Sequence, residues 1–150
     1  MGVFSVVSGI GLGLMIYGKG TASFVSVWQP MEGAKWFPIV LMLPAIVLIT
    51  LAQLPGNLKV KLGHPMLMGI CLFSIGHLFA NGDLASVLLF ASFLIYSLFT
   101  IVRLSREQDK NSSSVKVNIW DGVGILAGAG FYVLAFMYHF QITGMAISMS

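Results

Sequence analysis

Three histidines set the chemical question in this 150-residue chain. His64 opens "HPMLMG", His77 lies in "SIGHLFANGD" and His139 in "AFMYHFQITG". Imidazole changes charge near neutral pH and is the commonest metal ligand among side chains. An ionisable group inside an apolar run is costly in lipid, so it tends to face the protein interior or a cavity. A second polar cluster, Asn81-Gly82-Asp83, follows His77 directly.

The elements that carry these residues are membrane helices. The chain is 57% hydrophobic and only 9% charged, with a mean hydropathy of +0.93, whereas soluble domains carry roughly a quarter of their residues as charges. Its apolar runs approach the ~20 residues needed to cross a bilayer. Helices satisfy their own backbone hydrogen bonds there. The expected fold is therefore an all-α integral membrane bundle of about five transmembrane helices, forming one domain over 1–150. Their spans are about 3–18, 36–53, 65–81, 84–102 and 120–140. Pro44 lies inside the second. The stretch 19–35 is too polar to cross, and "SREQDKNSSSVK" suits a polar linker.

Charge predicts the orientation. Lys59, Lys61, Arg103, Arg106, Lys110 and Lys116 lie in the connections 54–64 and 103–119, against Lys19 and Lys35 on the other side. This asymmetry places the N-terminus in the cytoplasm. The formal charge of +3 is too small and scattered for a nucleic-acid surface. The bilayer is the expected partner, with other membrane proteins as further candidates. A lone cysteine, Cys71, excludes an intramolecular disulfide framework.

Within this frame "ANGD" reads as a tight helical hairpin. Gly82 is expected to supply left-handed geometry after the third span, and Asp83 to cap the fourth. Gly9 with Gly13, and Gly124 with Gly128, have the small-xxx-small spacing that lets helices approach closely. His64 sits at a helix start beside Lys59 and Lys61, as an interfacial residue or a cofactor contact. His77 and His139 lie at similar depth, on helices running the same way; His77 is about 8 Å from its helix end at ~1.5 Å per residue. Such a pair could ligate the iron of haem b. It could equally form a hydrogen-bonded contact, or bond Ser74, Tyr138 or a backbone carbonyl. Zinc lacks a third and fourth ligand at normal spacing, and Cys71 projects from a different face of His77's helix. No catalytic residue is assigned.

The stretches "LPGNLKVKLGHPMLMG", "GHLFANGDLASVLLFASFL" and "WDGVGILAGAGFYVLAFMYHFQITG" touch most of the chain and resemble the NnrU family of bacterial membrane proteins. The resemblance implies a bacterial inner-membrane protein associated with nitrite and nitric oxide reduction in denitrification. The family is also similar to the plant 15-cis-zeta-carotene isomerase, a membrane haem protein. Two departures stand out: family members usually have a further N-terminal helix carrying a histidine, and an Arg before His-Pro where this chain has Gly63. "HPMLMG" also resembles the His-Pro-x-x-x-Gly of membrane methyltransferases, but their paired acidic motif is incomplete at Arg106-Glu107-Gln108. Three classes of function follow: a non-enzymatic component supporting nitrogen-oxide respiration, a haem b-dependent enzyme acting on an apolar substrate, and a transporter. The first is the preferred reading.

Overall fold

In the computed structural model, residues 2–107 and 116–143 are described. They form six helices: α1 (Gly2–Thr21), α2 (Trp36–Gln53), α3 (Leu58–Leu62), α4 (Pro65–Ala80), α5 (Leu84–Glu107) and α6 (Ile119–Thr143). Three of them contain segments long and apolar enough to cross a membrane: Trp36–Gln53, Leu84–Arg106 and Ile119–His139. The equally apolar α4 is shorter, at 16 residues. Of the five expected spans, three are thus long and apolar enough to cross a membrane; α4 is shorter, and α1 is not among them.

Packing runs through α2 and α4, the most closely associated pair, with α6 lying on α2 and α5 on α4. Glycine makes these contacts close. A Cβ on Gly69 would lie 2.7 Å from the Ala45 carbonyl oxygen, and one on Gly128 2.7 Å from the Val47 Cα. Gly124 meets Leu51 in the same way. Backbone proximity of this kind replaces the hydrophobic drive that lipid removes. The α1 pair behaves differently. Added Cβ atoms at Gly9 and Gly13 would meet nothing within 4 Å, so this spacing serves no helix contact within the described chain. Side chains on the outside are large and apolar, including Ile95, Phe99, Leu126 and Met137. That surface suits hydrocarbon.

Three sequence expectations change. The connection 54–64 is not a plain loop, because it contains α3, joined to α4 through Gly63 at φ 76°. α5 continues beyond 102 to Glu107, so the expected polar linker begins helically; residues 108–115 and the tail 144–150 lie outside the described residues. The expected left-handed Gly82 is also corrected: positive φ occurs, among the described residues, only at Gly33 and Gly63. Gly82 is needed for another reason. A side chain there would fall on the Trp28 carbonyl.

That contact closes one end of the bundle. The Gly82 carbonyl accepts hydrogen bonds from the backbone N–H groups of Val27 (2.8 Å) and Trp28 (3.2 Å), while Leu84 N–H donates to Val25 O (2.8 Å). The stretch after α1 therefore pairs with the α4–α5 turn as a one-residue antiparallel bridge, Ser26 to Asp83.

Candidate functional site at the two polar ends of the bundle

The α4–α5 turn is built by three adjacent side-chain choices. Asn81 donates to the His77 carbonyl through both its backbone N–H (3.0 Å) and its Nδ2 (2.8 Å), ending α4. Gly82 admits the Trp28 carbonyl. Asp83 starts α5: its Oδ1 accepts the Ser86 N–H at 2.9 Å, satisfying one of the helix's free donors. Ser86 is fully buried, and its hydroxyl faces this carboxylate without reaching hydrogen-bond geometry. Burial alone would raise the Asp83 carboxyl, but the Ser86 groups and the charge of Lys19 outweigh it. The carboxyl is held below its ordinary range.

His77 projects from the last turn of α4 into an aromatic cluster. Its ring centroid lies 4.4 Å from that of Phe73 and 4.6 Å from that of Phe90. Its Nδ1 is 3.0 Å from the Phe73 carbonyl oxygen. A carbonyl can only accept, so Nδ1 carries the proton. In the neutral ring, Nε2 then holds the lone pair. His139, half-buried on α6, and Lys19, half-buried near the end of α1, lie close enough for their charges to act on His77. Lys19 acts on Asp83 as well. The structure thus gathers His77, His139, Lys19 and Asp83 from three helices and a turn at one end, which we call the histidine end.

His64 is elsewhere. It precedes α4, about 20 Å from His77 along the helix at ~1.5 Å per residue. Its side chain makes no capping bond, and its Nε2 is enclosed without a hydrogen-bond partner. The three histidines therefore do not form one site.

The end where His64 lies, which we call the basic end, is organised by a residue that sequence reasoning passed over. Asp121, in the first turn of α6, is completely buried. One carboxylate oxygen accepts the Asn118 N–H at 2.8 Å, while Asn118 Oδ1 receives the Asp121 N–H at 3.2 Å. This is a reciprocal capping box with Asp in place of the usual Glu. The other oxygen accepts the N–H of Leu58, the first residue of α3, at 2.8 Å. One carboxylate thereby caps two helices whose contact residues are 63 positions apart. Gly56 leaves room for it, since a Cβ there would collide with the carboxylate. Asn57 Nδ2 adds a bond to the Lys116 carbonyl at 3.0 Å. The available signal was "NIWD", an Asn-x-x-Asp helix start; the partner loop "LPGN" could not be paired with it from spacing.

Among the described residues, no group of three or more His, Cys, Asp or Glu side chains could hold a metal ion. A two-ligand group such as haem asks for less. His77 meets the donor requirement: an Nδ1–H fixed by a backbone carbonyl is the outer-shell arrangement that orients a ligating imidazole.

Glycine-mediated helix packing, apolar outer faces and charged residues confined to helix ends and connections define a multi-helix membrane protein. The chain belongs to the NnrU family: the family model described as "NnrU protein" matches residues 1–147. Neither a curated protein nor a solved structure matches it.

Proposed function

We propose that this NnrU-family protein is a five-span component of the bacterial inner membrane that supports nitrite and nitric oxide reduction, without itself being the reductase. The family match over residues 1–147 is the observation that carries this reading. α1 and α4 complete the five crossings, with a cytoplasmic N-terminus given by the Lys and Arg asymmetry. The basic end then faces the cytoplasm and the histidine end faces outward. Its partners are the lipid bilayer and other membrane or respiratory proteins. The test is deletion of the gene in its own host under denitrifying conditions, following nitrite and nitric oxide consumption alongside reductase levels. Lower consumption with reductase polypeptides present but inactive supports a maturation or assembly role. Unchanged consumption overturns it.

A second reading has its own observation, the Nδ1–H of His77 fixed on the Phe73 carbonyl. His77 Nε2 and His139 would hold haem b, which supplies a redox-active or Lewis-acidic iron when bound. Phe73 and Phe90 would fix the His77 ring plane and keep water from it. Purified protein would then show a Soret band and reduced α and β bands of six-coordinate iron. His77→Ala and His139→Ala would each strip or convert that spectrum, whereas His64→Ala would leave it unchanged. Haem-free protein from haem-replete cells leaves the pair as a buried polar contact.

A further inference from the structure

We infer that the α2–α6 groove, at its basic end, seats one anionic phospholipid. Lys59, Lys61 and Lys116 hold its phosphate, and an acyl chain lies along the groove. The groove is lined mainly by Ile46, Leu54, Val123, Ala127 and Phe131, with Thr50 and Gln53 as its polar members. Its one hydroxyl in that set is already spent, because Thr50 Oγ1 donates to the Ile46 carbonyl at 2.8 Å. Gln53 Nε2 is likewise engaged, donating to Met66 Sδ at 3.8 Å, so the wall offers a tail mainly apolar contact. From Val123 past Phe131 to Tyr138 the groove follows α6 for about 22 Å at ~1.5 Å per residue. That exceeds one leaflet, about half of a ~30 Å hydrocarbon core. It has room for a full chain.

The groove opens where α2 ends and α6 begins, and there the apolar wall gives way to cations. Leu54 at its mouth is followed closely by α3, which carries Lys59 and Lys61. The Asn57 bond to the Lys116 carbonyl draws the third lysine to the same junction. Lys61 and Lys116 are exposed and Lys59 is half-buried. Asp121, the carboxylate of this junction, does not neutralise them at the surface: it is fully buried and engaged by backbone N–H groups. An apolar slot capped by cations that, among the described residues, no surface carboxylate is seen to pair matches an amphiphile with an anionic head. Basic pockets at helix junctions take such headgroups.

The test uses the purified full chain in detergent. Equal phosphatidylglycerol and phosphatidylcholine with identical acyl chains are added, and the lipid retained is read by native mass spectrometry. Wild type is expected to retain phosphatidylglycerol preferentially. Replacing Lys59, Lys61 and Lys116 together by Gln should lower that preference by about 100-fold, at roughly five-fold per lysine. Ala127→Phe, which fills the groove, should reduce retention of both lipids. If that variant does not fold, Val123→Gln, which puts an amide on the groove wall, replaces it. Glycerol phosphate at millimolar concentration should not compete, because the head alone lacks the tail contact. An unchanged lipid ratio in the lysine variant overturns the proposal, as does unchanged retention in the groove variant. Competition by glycerol phosphate would replace it with a soluble-phosphate site.

Discussion

The two ends of the bundle use a carboxylate differently. At the basic end, Asp121 divides its two oxygens between the starts of α6 and α3, and nothing of it reaches solvent. At the histidine end, Asp83 caps a single helix, remains partly accessible, and lies within reach of the Lys19 charge. A carboxylate whose acceptors are all engaged by backbone N–H groups is a fastening. One that keeps accessible surface can change protonation without dismantling the fold. The two carboxylates therefore differ in kind: one is committed wholly to backbone donors, and the other keeps accessible surface.

The largest effect should come from breaking the fastening. Asp121→Leu leaves N–H groups of both Asn118 and Leu58 buried without acceptors, and an unsatisfied buried donor carries its full desolvation penalty. We expect most of the folded protein to be lost, measured as monodisperse protein recovered from membranes. Asp121→Asn keeps one acceptor oxygen but turns an NH₂ toward the other donor, so recovery should be intermediate. Wild-type recovery of Asp121→Leu would remove the distinction between the ends.

Next comes Gly82, at the opposite end. Gly82→Ala drives a methyl into the Trp28 carbonyl, and forced overpacking of this kind costs about 1–3 kcal/mol. The expected result is a lowered thermal midpoint and faster proteolysis within residues 22–30, where the bridge partner lies. Gly9→Ala, which meets open space, is the matched control and should stay within about 0.5 kcal/mol of wild type.

These two glycines also show where sequence reasoning stopped. α2 was legible to the residue, and α4 and α6 nearly so, because apolar runs of membrane length declare themselves. Gly82 was recognised as necessary but for the wrong reason. Glycine in a turn serves either positive φ or close approach, and only the distant Trp28 distinguishes them. α3 was missed because "LKVKL" has five residues and too little apolar surface to nucleate alone. Its start is capped by Asp121, 63 positions away. At the site, the placement of His77 and His139 toward the same end of their helices was readable from depth and direction. Lys19 was not, because the sequence gives no sign that this residue turns inward.

A smaller, pH-dependent effect follows from Asp83. Its folded-state carboxyl is held below the ordinary range, because the Ser86 groups and Lys19 outweigh burial. Stability from this group is therefore present above the unfolded-state value and is lost as pH falls through the folded-state value. Thermal midpoints measured from neutral pH down into the acid range should decline for wild type and decline less for Asp83→Asn. At neutral pH, Asp83→Asn keeps a capping oxygen and should be nearly silent, whereas Asp83→Leu should cost about 0.5–2 kcal/mol. Loss of function in Asp83→Asn at unchanged protein level would make the carboxylate chemical rather than a cap.

The smallest effect on stability is expected at His64, and it is also the sharpest challenge to the division between the ends. Its Nε2 is enclosed without a hydrogen-bond partner, so the imidazole already carries a desolvation cost that no bond offsets. Replacing an unpartnered polar group by an apolar one of similar shape is nearly neutral or stabilising. His64→Leu should therefore leave the thermal midpoint within about 0.5 kcal/mol of wild type or raise it, and leave nitrite and nitric oxide consumption in a complemented deletion host unchanged. The comparison with His77→Leu is direct. Both substitutions remove an imidazole from α4 or its start, but the second also removes the Phe73 carbonyl contact. If His64→Leu abolishes the phenotype while folded protein accumulates normally, the orphan nitrogen is a binding atom and the basic end carries chemistry after all.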